Sequence, residues 1–185
     1  MHHLPNGTER GGLVIRRLPA EIVASLLAAT TVIISLPPFN LPPWAVFVSW
    51  AGTFAAGGPK PDVLRRIWLA MPVGSTYAMV IALAFERASY SYSGPSLLIA
   101  QMIILFSLNT CLMYTGRLSI FSFIPGMFFG FASYFATLFG GFGPAPHNLY
   151  AAWIAAVLMN AVGPFYAWLS VKLSAAPRRG AHLNS

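Results

Sequence analysis

Long apolar stretches without charge constrain this chain more than any other feature of its sequence. Six such segments lie between residues 20 and 171, and no Asp, Glu, Lys, Arg or His occurs near the middle of any of them. Charged residues make up 8% of the chain and hydrophobic residues 57%, whereas about 25% of a soluble domain is charged. This composition excludes a water-soluble enzyme, a nucleic-acid-binding domain and a disordered tail. It predicts an all-α integral membrane protein.

The six segments predict six transmembrane helices, because about 20 apolar residues cross the hydrocarbon core of a bilayer. Proline pairs separate the first two segments and a glycine pair follows the fifth, as expected at helix ends. The segments cover about residues 20–36, 43–56, 63–85, 95–114, 120–139 and 149–171. Residues 20–171 are therefore predicted to form one membrane domain, flanked by tails at 1–19 and 172–185.

The distribution of positive charge predicts the orientation of these helices. Ten of the 11 Lys and Arg residues lie in the tails or in the connections that follow segments two and four, and only Arg87 lies on the other side. Because positively charged loops stay in the cytoplasm, both termini are predicted to be cytoplasmic.

Two halves of the chain resemble each other. The pairs Phe54-Ala55 and Phe135-Ala136 each precede a Gly-Gly pair and a Pro-x-Pro sequence, and Val-Gly-x-x-Tyr-Ala occurs at residues 73–78 and 162–167. Three segments per half would place the second half upside down relative to the first, as in many channels and transporters. The sequence therefore predicts inverted repeats over about residues 20–86 and 95–171. Chance similarity is the alternative, since these residue types are common in membrane helices.

The segments lack the groups that most catalysis and ion coupling require. Coupled transporters usually keep an ionisable side chain inside the membrane, and none is available here. The single cysteine, Cys111, excludes an intramolecular disulfide and a multi-cysteine metal site. Neither a Ser-His-Asp triad nor a pair of carboxylates can be assembled within the segments. The sequence therefore predicts no enzyme activity, no metal and no cofactor.

Uncharged polar and aromatic side chains are plentiful inside the segments. They fit two interpretations: hydrogen-bonding and packing between helices, or the lining of a narrow path that replaces the hydration of a neutral solute. Asn160 and Gln101 are the most informative of these, because an amide is costly to leave unpaired in lipid. The candidate path residues are Trp50, Thr53, Phe54, Tyr77, Phe131, Phe135, Asn160 and Tyr166.

Two stretches carry a resemblance to a known family. Residues 123–136 read Phe-Ile-Pro-Gly-Met-Phe-Phe-Gly-Phe-Ala-Ser-Tyr-Phe-Ala, and residues 49–55 read Ser-Trp-Ala-Gly-Thr-Phe-Ala. Both resemble YcdZ-like bacterial inner-membrane proteins, a domain-of-unknown-function family, and the similarity extends over about residues 20–170. The resemblance implies a small six-span protein of the bacterial inner membrane. It brings no assigned functional residues.

These observations predict a passive channel or facilitator for a small neutral or weakly ionised solute, such as urea, an amide or ammonia. The expected partners are membrane lipids, the solute and further copies of the chain in a homo-oligomer, with no nucleic acid. The alternative is a non-transporting membrane subunit that binds a partner protein through its apolar faces. A water-filled cavity along segments two and five would favour the channel, and a solid core with an exposed apolar face would favour the subunit.

Overall fold

A computed structural model describes residues 18–174 and shows six α-helices. Within this range no strand forms; Leu18 and Ser174 make one isolated bridge that joins the two ends of the described chain. The all-α prediction is therefore confirmed. The helices are α1 (Ala20–Ile34), α2 (Pro43–Ala55), α3 (Pro61–Ser89), α4 (Gly94–Thr115), α5 (Ile124–Phe139) and α6 (Leu149–Leu173).

Proline and glycine set most of the helix ends. Proline occupies the first or second position of α2, α3, α4 and α5, where the missing N–H removes no intrahelical hydrogen bond. The α6 helix begins differently: the side chain of Asn148 accepts hydrogen bonds from the backbone N–H groups of Tyr150 and Ala151. The segment predicted from about residue 120 begins as a helix only at Ile124, because a short 3-10 turn (Ser119–Phe121) precedes it.

The helices differ in whether they are long enough to cross a membrane. Three of them, α3, α4 and α6, are long and apolar enough to do so. The α1 and α5 helices are apolar but have only 15 and 16 residues, and α2 has 13. At 1.5 Å per residue α2 is about 20 Å long, less than the ~30 Å of a hydrocarbon core. These lengths are consistent with a membrane protein, and six complete crossings stay a prediction.

Four helices form the centre of the molecule. The α3 helix packs most extensively on α5, and α2 packs on α6; α3 also contacts α6, and α2 contacts α5. The other two helices are peripheral. The α1 helix lies mainly against α6, and α4 lies mainly against α3. Only one residue of α4, Leu112, is buried, so almost the whole of this apolar helix faces outward.

Three glycines permit the close packing at the centre, and one of them is Gly130 in α5, where a β-carbon would collide with the backbone carbonyl of Met71 in α3. A β-carbon on Gly74 in α3 would collide with the backbone carbonyl of Met127 in α5, and one on Gly163 in α6 would lie 2.5 Å from the carbonyl oxygen of Val46 in α2. Real β-carbons do not approach other atoms so closely. The two largest helix contacts therefore depend on the absence of a side chain at Gly74 and Gly163.

Candidate functional site

Five of the eight predicted path residues form two clusters. In the first cluster, the rings of Trp50 and Tyr166 meet edge to face, with their centroids 5.7 Å apart. The hydroxyl of Tyr166 shares a hydrogen bond of 2.8 Å with the hydroxyl of Thr30. This cluster therefore joins α1, α2 and α6.

The second cluster joins α3, α4 and α5. Tyr77 and Phe131 pack against the same buried cluster, and the hydroxyl of Tyr77 shares a 2.8 Å hydrogen bond with the hydroxyl of Thr115. Phe131 and Phe135 meet edge to face, with ring centroids 5.0 Å apart. The two aromatic clusters have the same composition in outline: a tyrosine on a long helix, an aromatic residue on a short helix and a threonine on a peripheral helix.

Thr53 and Phe54 belong to neither cluster. Thr53 is fully buried, and its hydroxyl donates a 2.8 Å hydrogen bond to the backbone carbonyl of Ser49 in its own helix. Phe54 is 46% exposed on the outside of α2. The structure therefore does not bring all eight candidates together around a single passage.

Asn160 is the predicted residue with the most unusual environment. Only 2% of it is exposed, and neither its amide nitrogen nor its amide oxygen has a hydrogen-bond partner among the described residues. Burial of an amide without a partner costs about 1–3 kcal/mol. Asn160 lines a small cavity of about 40 Å³ between α3 and α6. The amide atoms themselves have almost no accessible surface, so a small polar molecule in the cavity would reach them once the side chain turns toward it.

The walls of this cavity come from the middle of α3 and α6. Trp68 is 45% exposed and Ala161 is exposed, whereas Ile67 and Met71 are buried, so the cavity lies between the core and the surface of the molecule. The indole N–H of Trp68 donates a 3.0 Å hydrogen bond to the carbonyl of Ala161. This bond joins the two helices on the outer side of the cavity.

Two prolines add polar character to the same place. Pro72 lies inside α3 and Pro164 inside α6. Because proline has no N–H, the carbonyls four residues earlier lose their usual helical donors. Those carbonyls belong to Trp68 and Asn160, and both residues line the cavity. Sequence reasoning missed the two prolines, although a proline inside an apolar segment was a visible signal.

A second, larger open space, here called the end cleft, lies at the C-terminal end of α3. This end cleft has a volume of about 860 Å³ and is bounded by the end of α3, the first half of α4, the end of α5 and the start of α6. Its apolar lining includes Phe85, Phe135, Leu138 and Phe139, and its polar lining includes Glu86, Arg87, Gln101, His147 and Asn148.

Phe135 is a predicted path residue that lines the end cleft. The cleft as a whole was not predicted, because its polar residues come from α3, α4 and the connection that precedes α6. His147 is held in place by a 3.1 Å contact between its Nδ1 and the carbonyl oxygen of Leu138. Within residues 18–174, no three His, Cys, Asp or Glu side chains cluster as ligands of a metal would.

Comparison with known proteins places the chain beside one family. Residues 21–175 match the model of a family described as "Protein of unknown function (DUF1097)". No curated protein and no solved structure matches the chain. The resemblance to a family of unknown function is therefore confirmed, whereas the YcdZ-like name and the bacterial inner-membrane setting stay predictions.

Proposed function

This chain belongs to the DUF1097 family of proteins of unknown function, and from its own geometry we propose that it is a passive facilitator for a small neutral or weakly ionised solute. The solute class is urea, a related amide or ammonia, and the proposed location is the bacterial inner membrane with both termini in the cytoplasm. One observation carries the proposal: the buried and unpartnered carboxamide of Asn160 beside a cavity.

The chemistry of Asn160 selects the class of solute. A carboxamide offers two N–H donors and an acceptor oxygen, so it suits a neutral molecule that both donates and accepts hydrogen bonds. No charged side chain lines the cavity, so an ion would lose its hydration without compensation. One water molecule takes about 30 Å³ in the liquid. The 40 Å³ cavity therefore fits an ammonia-sized molecule directly, and urea requires an outward movement of Trp68.

The architecture in this proposal is six membrane helices in two inverted repeats. Aligning the Phe-Ala pairs and the Val-Gly-x-x-Tyr-Ala motifs places Val46 opposite Met127 and Gly74 opposite Gly163. The close approach of Gly74 to Met127 then has its counterpart in the approach of Gly163 to Val46. The helix pairs α3–α5 and α2–α6, which pack most extensively, also exchange under this alignment.

The hydrogen bonds of the two aromatic clusters support the same alignment. Tyr77 and Tyr166 occupy equivalent positions in the repeated motif. Each bonds to a threonine on the first helix of the opposite half, Thr115 on α4 or Thr30 on α1. The Asn160 cavity lies between α3 and α6, the third helices of the two halves. Solute sites of inverted-repeat transporters occur at such interfaces.

Stopped-flow measurements on proteoliposomes test the proposal. Urea, formamide and glycerol uptake is followed by light scattering and ammonia uptake by an internal pH dye, with empty liposomes as the baseline. The test variant is Asn160→Leu, and the matched control is Asn109→Leu, which makes the same change in α4, away from the cavity. We expect faster uptake of ammonia or an amide than in empty liposomes, lost in Asn160→Leu and kept in Asn109→Leu. Rates equal to those of empty liposomes for every solute would overturn the proposal.

A second candidate function, a membrane subunit that binds a partner protein or a second copy of the chain, is favoured by two observations. The α4 helix exposes an apolar face, and neither of the two open spaces described above is lined by α2. Leu112 is the one buried residue of α4, and the Tyr77–Thr115 hydrogen bond links this helix to α3. The test is mass photometry of the protein in nanodiscs, with Met102→Trp and Phe106→Ala as variants on the exposed face. An assembly larger than one chain that these variants dissociate would support this candidate, and a single chain would contradict the homo-oligomer.

A further inference from the structure

The end cleft combines an apolar interior with a charged rim. Phe135, Leu138 and Leu149 belong to or pack against a buried cluster of the core, and they form the apolar interior of the cleft. The rim carries one acidic side chain, Glu86, and one basic side chain, Arg87. A volume of about 860 Å³ lies in the range of sites that hold ligands of drug size or larger, about 300–1,000 Å³.

The charges of the rim are available to a ligand. The ion pair found within residues 18–174 is Asp62 with Arg66, at the other end of α3, so it involves neither Glu86 nor Arg87. The carboxylate of Glu86 accepts only a long hydrogen bond of 3.5 Å from Tyr90. The rim therefore presents one unpaired positive group and one weakly bonded negative group side by side, which match a ligand that carries both charges.

Three exposed tyrosines indicate where the cleft lies relative to the membrane surface. Tyr90, Tyr92 and Tyr150 are all exposed at this end of the molecule, and exposed tyrosines are enriched at the membrane–water interface. The exposed apolar face of α4, which includes Leu98 and Met102, begins beside them. The cleft therefore lies where lipid head groups meet acyl chains. This placement rests on the membrane location proposed above and not on solute transport.

We propose that the end cleft binds a phospholipid whose head group carries a phosphate and an ammonium group. The guanidinium of Arg87 pairs with the phosphate, since arginine suits bidentate contacts with phosphate oxygens. The carboxylate of Glu86 pairs with the ammonium group. The amides of Gln101 and Asn148 lie in the same lining and supply neutral hydrogen bonds. An acyl chain lies along Phe135 and Leu138.

Native mass spectrometry of the delipidated full chain in detergent tests this site. The probes are dioleoyl phosphatidylethanolamine, dioleoyl phosphatidylglycerol and glycerophosphoethanolamine, which has the same head group without acyl chains. The variants are Arg87→Gln and Glu86→Gln. The control is Arg117→Gln. Arg117 follows the end of α4, stacks on the ring of Tyr114 and does not line the cleft.

We expect the phosphatidylethanolamine to bind most tightly and the chain-free head group to show no binding. Arg87→Gln should weaken binding about tenfold, which corresponds to about 1.4 kcal/mol, and Arg117→Gln should leave binding unchanged. Tighter binding of the phosphatidylglycerol, or equal binding by Arg87→Gln and the wild type, would overturn the proposal. Binding of the chain-free head group would identify a site for a free phosphate ester instead. Because no transport is measured, these outcomes are independent of the solute experiment.

Discussion

The indole N–H of Trp68 and the backbone carbonyl of Ala161 are joined by a hydrogen bond of 3.0 Å that links α3 to α6. The bond lies beside Asn160, whose own side chain has no partner. The α3–α6 interface thus contains a hydrogen-bonded carbonyl at Ala161 and an amide without a partner at the neighbouring Asn160. The first holds the two helices together, and the second leaves the hydrogen-bonding capacity of an amide unused beside the cavity.

Removing the Trp68 hydrogen bond should destabilise the α3–α6 contact while leaving most of its apolar packing in place. Trp68→Phe keeps most of the apolar surface but deletes the donor, so we expect the free energy of unfolding to fall by about 0.5–1.5 kcal/mol. Thermal unfolding in nanodiscs measures the change. Trp168→Phe is the control. Trp168 contacts Lys172 through the face of its ring, and phenylalanine also offers a ring face. Equal losses in both variants would show that the Trp68–Ala161 bond contributes nothing specific.

Asn160→Leu should have the opposite effect on stability. The substitution removes a buried amide that has no partner in the described residues, so we expect the free energy of unfolding to rise by about 1 kcal/mol. A purely structural asparagine would give a loss instead. The unfolding temperature of Asn160→Leu, compared with that of Asn109→Leu, decides between these outcomes.

Alanine in place of Gly74 or Gly163 should strongly destabilise the protein. The new methyl groups of Gly74→Ala and Gly163→Ala would meet the backbone of a neighbouring helix, which cannot move away without separating the helices. We expect losses of about 1–3 kcal/mol in each case. Gly52→Ala is the matched control, since its methyl group would meet the ring of Phe129, a side chain that can rotate. Similar unfolding temperatures for all three variants would contradict the role of these glycines.

The two tyrosine–threonine bonds should contribute equally and independently. Tyr77→Phe and Tyr166→Phe each delete one hydroxyl hydrogen bond of 2.8 Å, and we expect each to lower the free energy of unfolding by about 1 kcal/mol. Because the two sites share no partner, the double variant should show the sum of the two losses. Chemical unfolding measures all three variants, with Tyr92→Phe as the exposed control. A loss confined to one tyrosine would weaken the proposed symmetry.

The start of α6 provides a prediction that depends only on local structure. Asn148→Ala removes the acceptor of two backbone hydrogen bonds, at 3.1 and 2.9 Å, and should cost about 0.5–2 kcal/mol. Ser93→Ala is the control, because Ser93 precedes α4 without a side-chain hydrogen bond to that helix. Thermal unfolding of both variants gives the comparison, and an unchanged Asn148→Ala would refute the capping role.

The six helices follow from sequence because their causes are local. Apolar composition, prolines at helix starts and glycines after helix ends act within a few residues of one another, and the segments predicted at about 43–56 and 149–171 agree with α2 and α6 to within two residues. The repeated Val-Gly-x-x-Tyr-Ala motif likewise singled out Tyr77 and Tyr166. Their threonine partners were not identified, because each lies on a helix of the other half.

The two open spaces were decided by tertiary structure. Thr53, Phe54 and Asn160 are all candidate path residues in the sequence, yet of these three only Asn160 borders a cavity. The end cleft brings Arg87 and His147 together from elements about 60 residues apart. Whether a side chain meets a partner, a void or solvent depends on helices that are distant along the chain. Sequence by itself therefore determined which helices form and which residues they offer, and packing between the helices determined which of those residues are left free to bind.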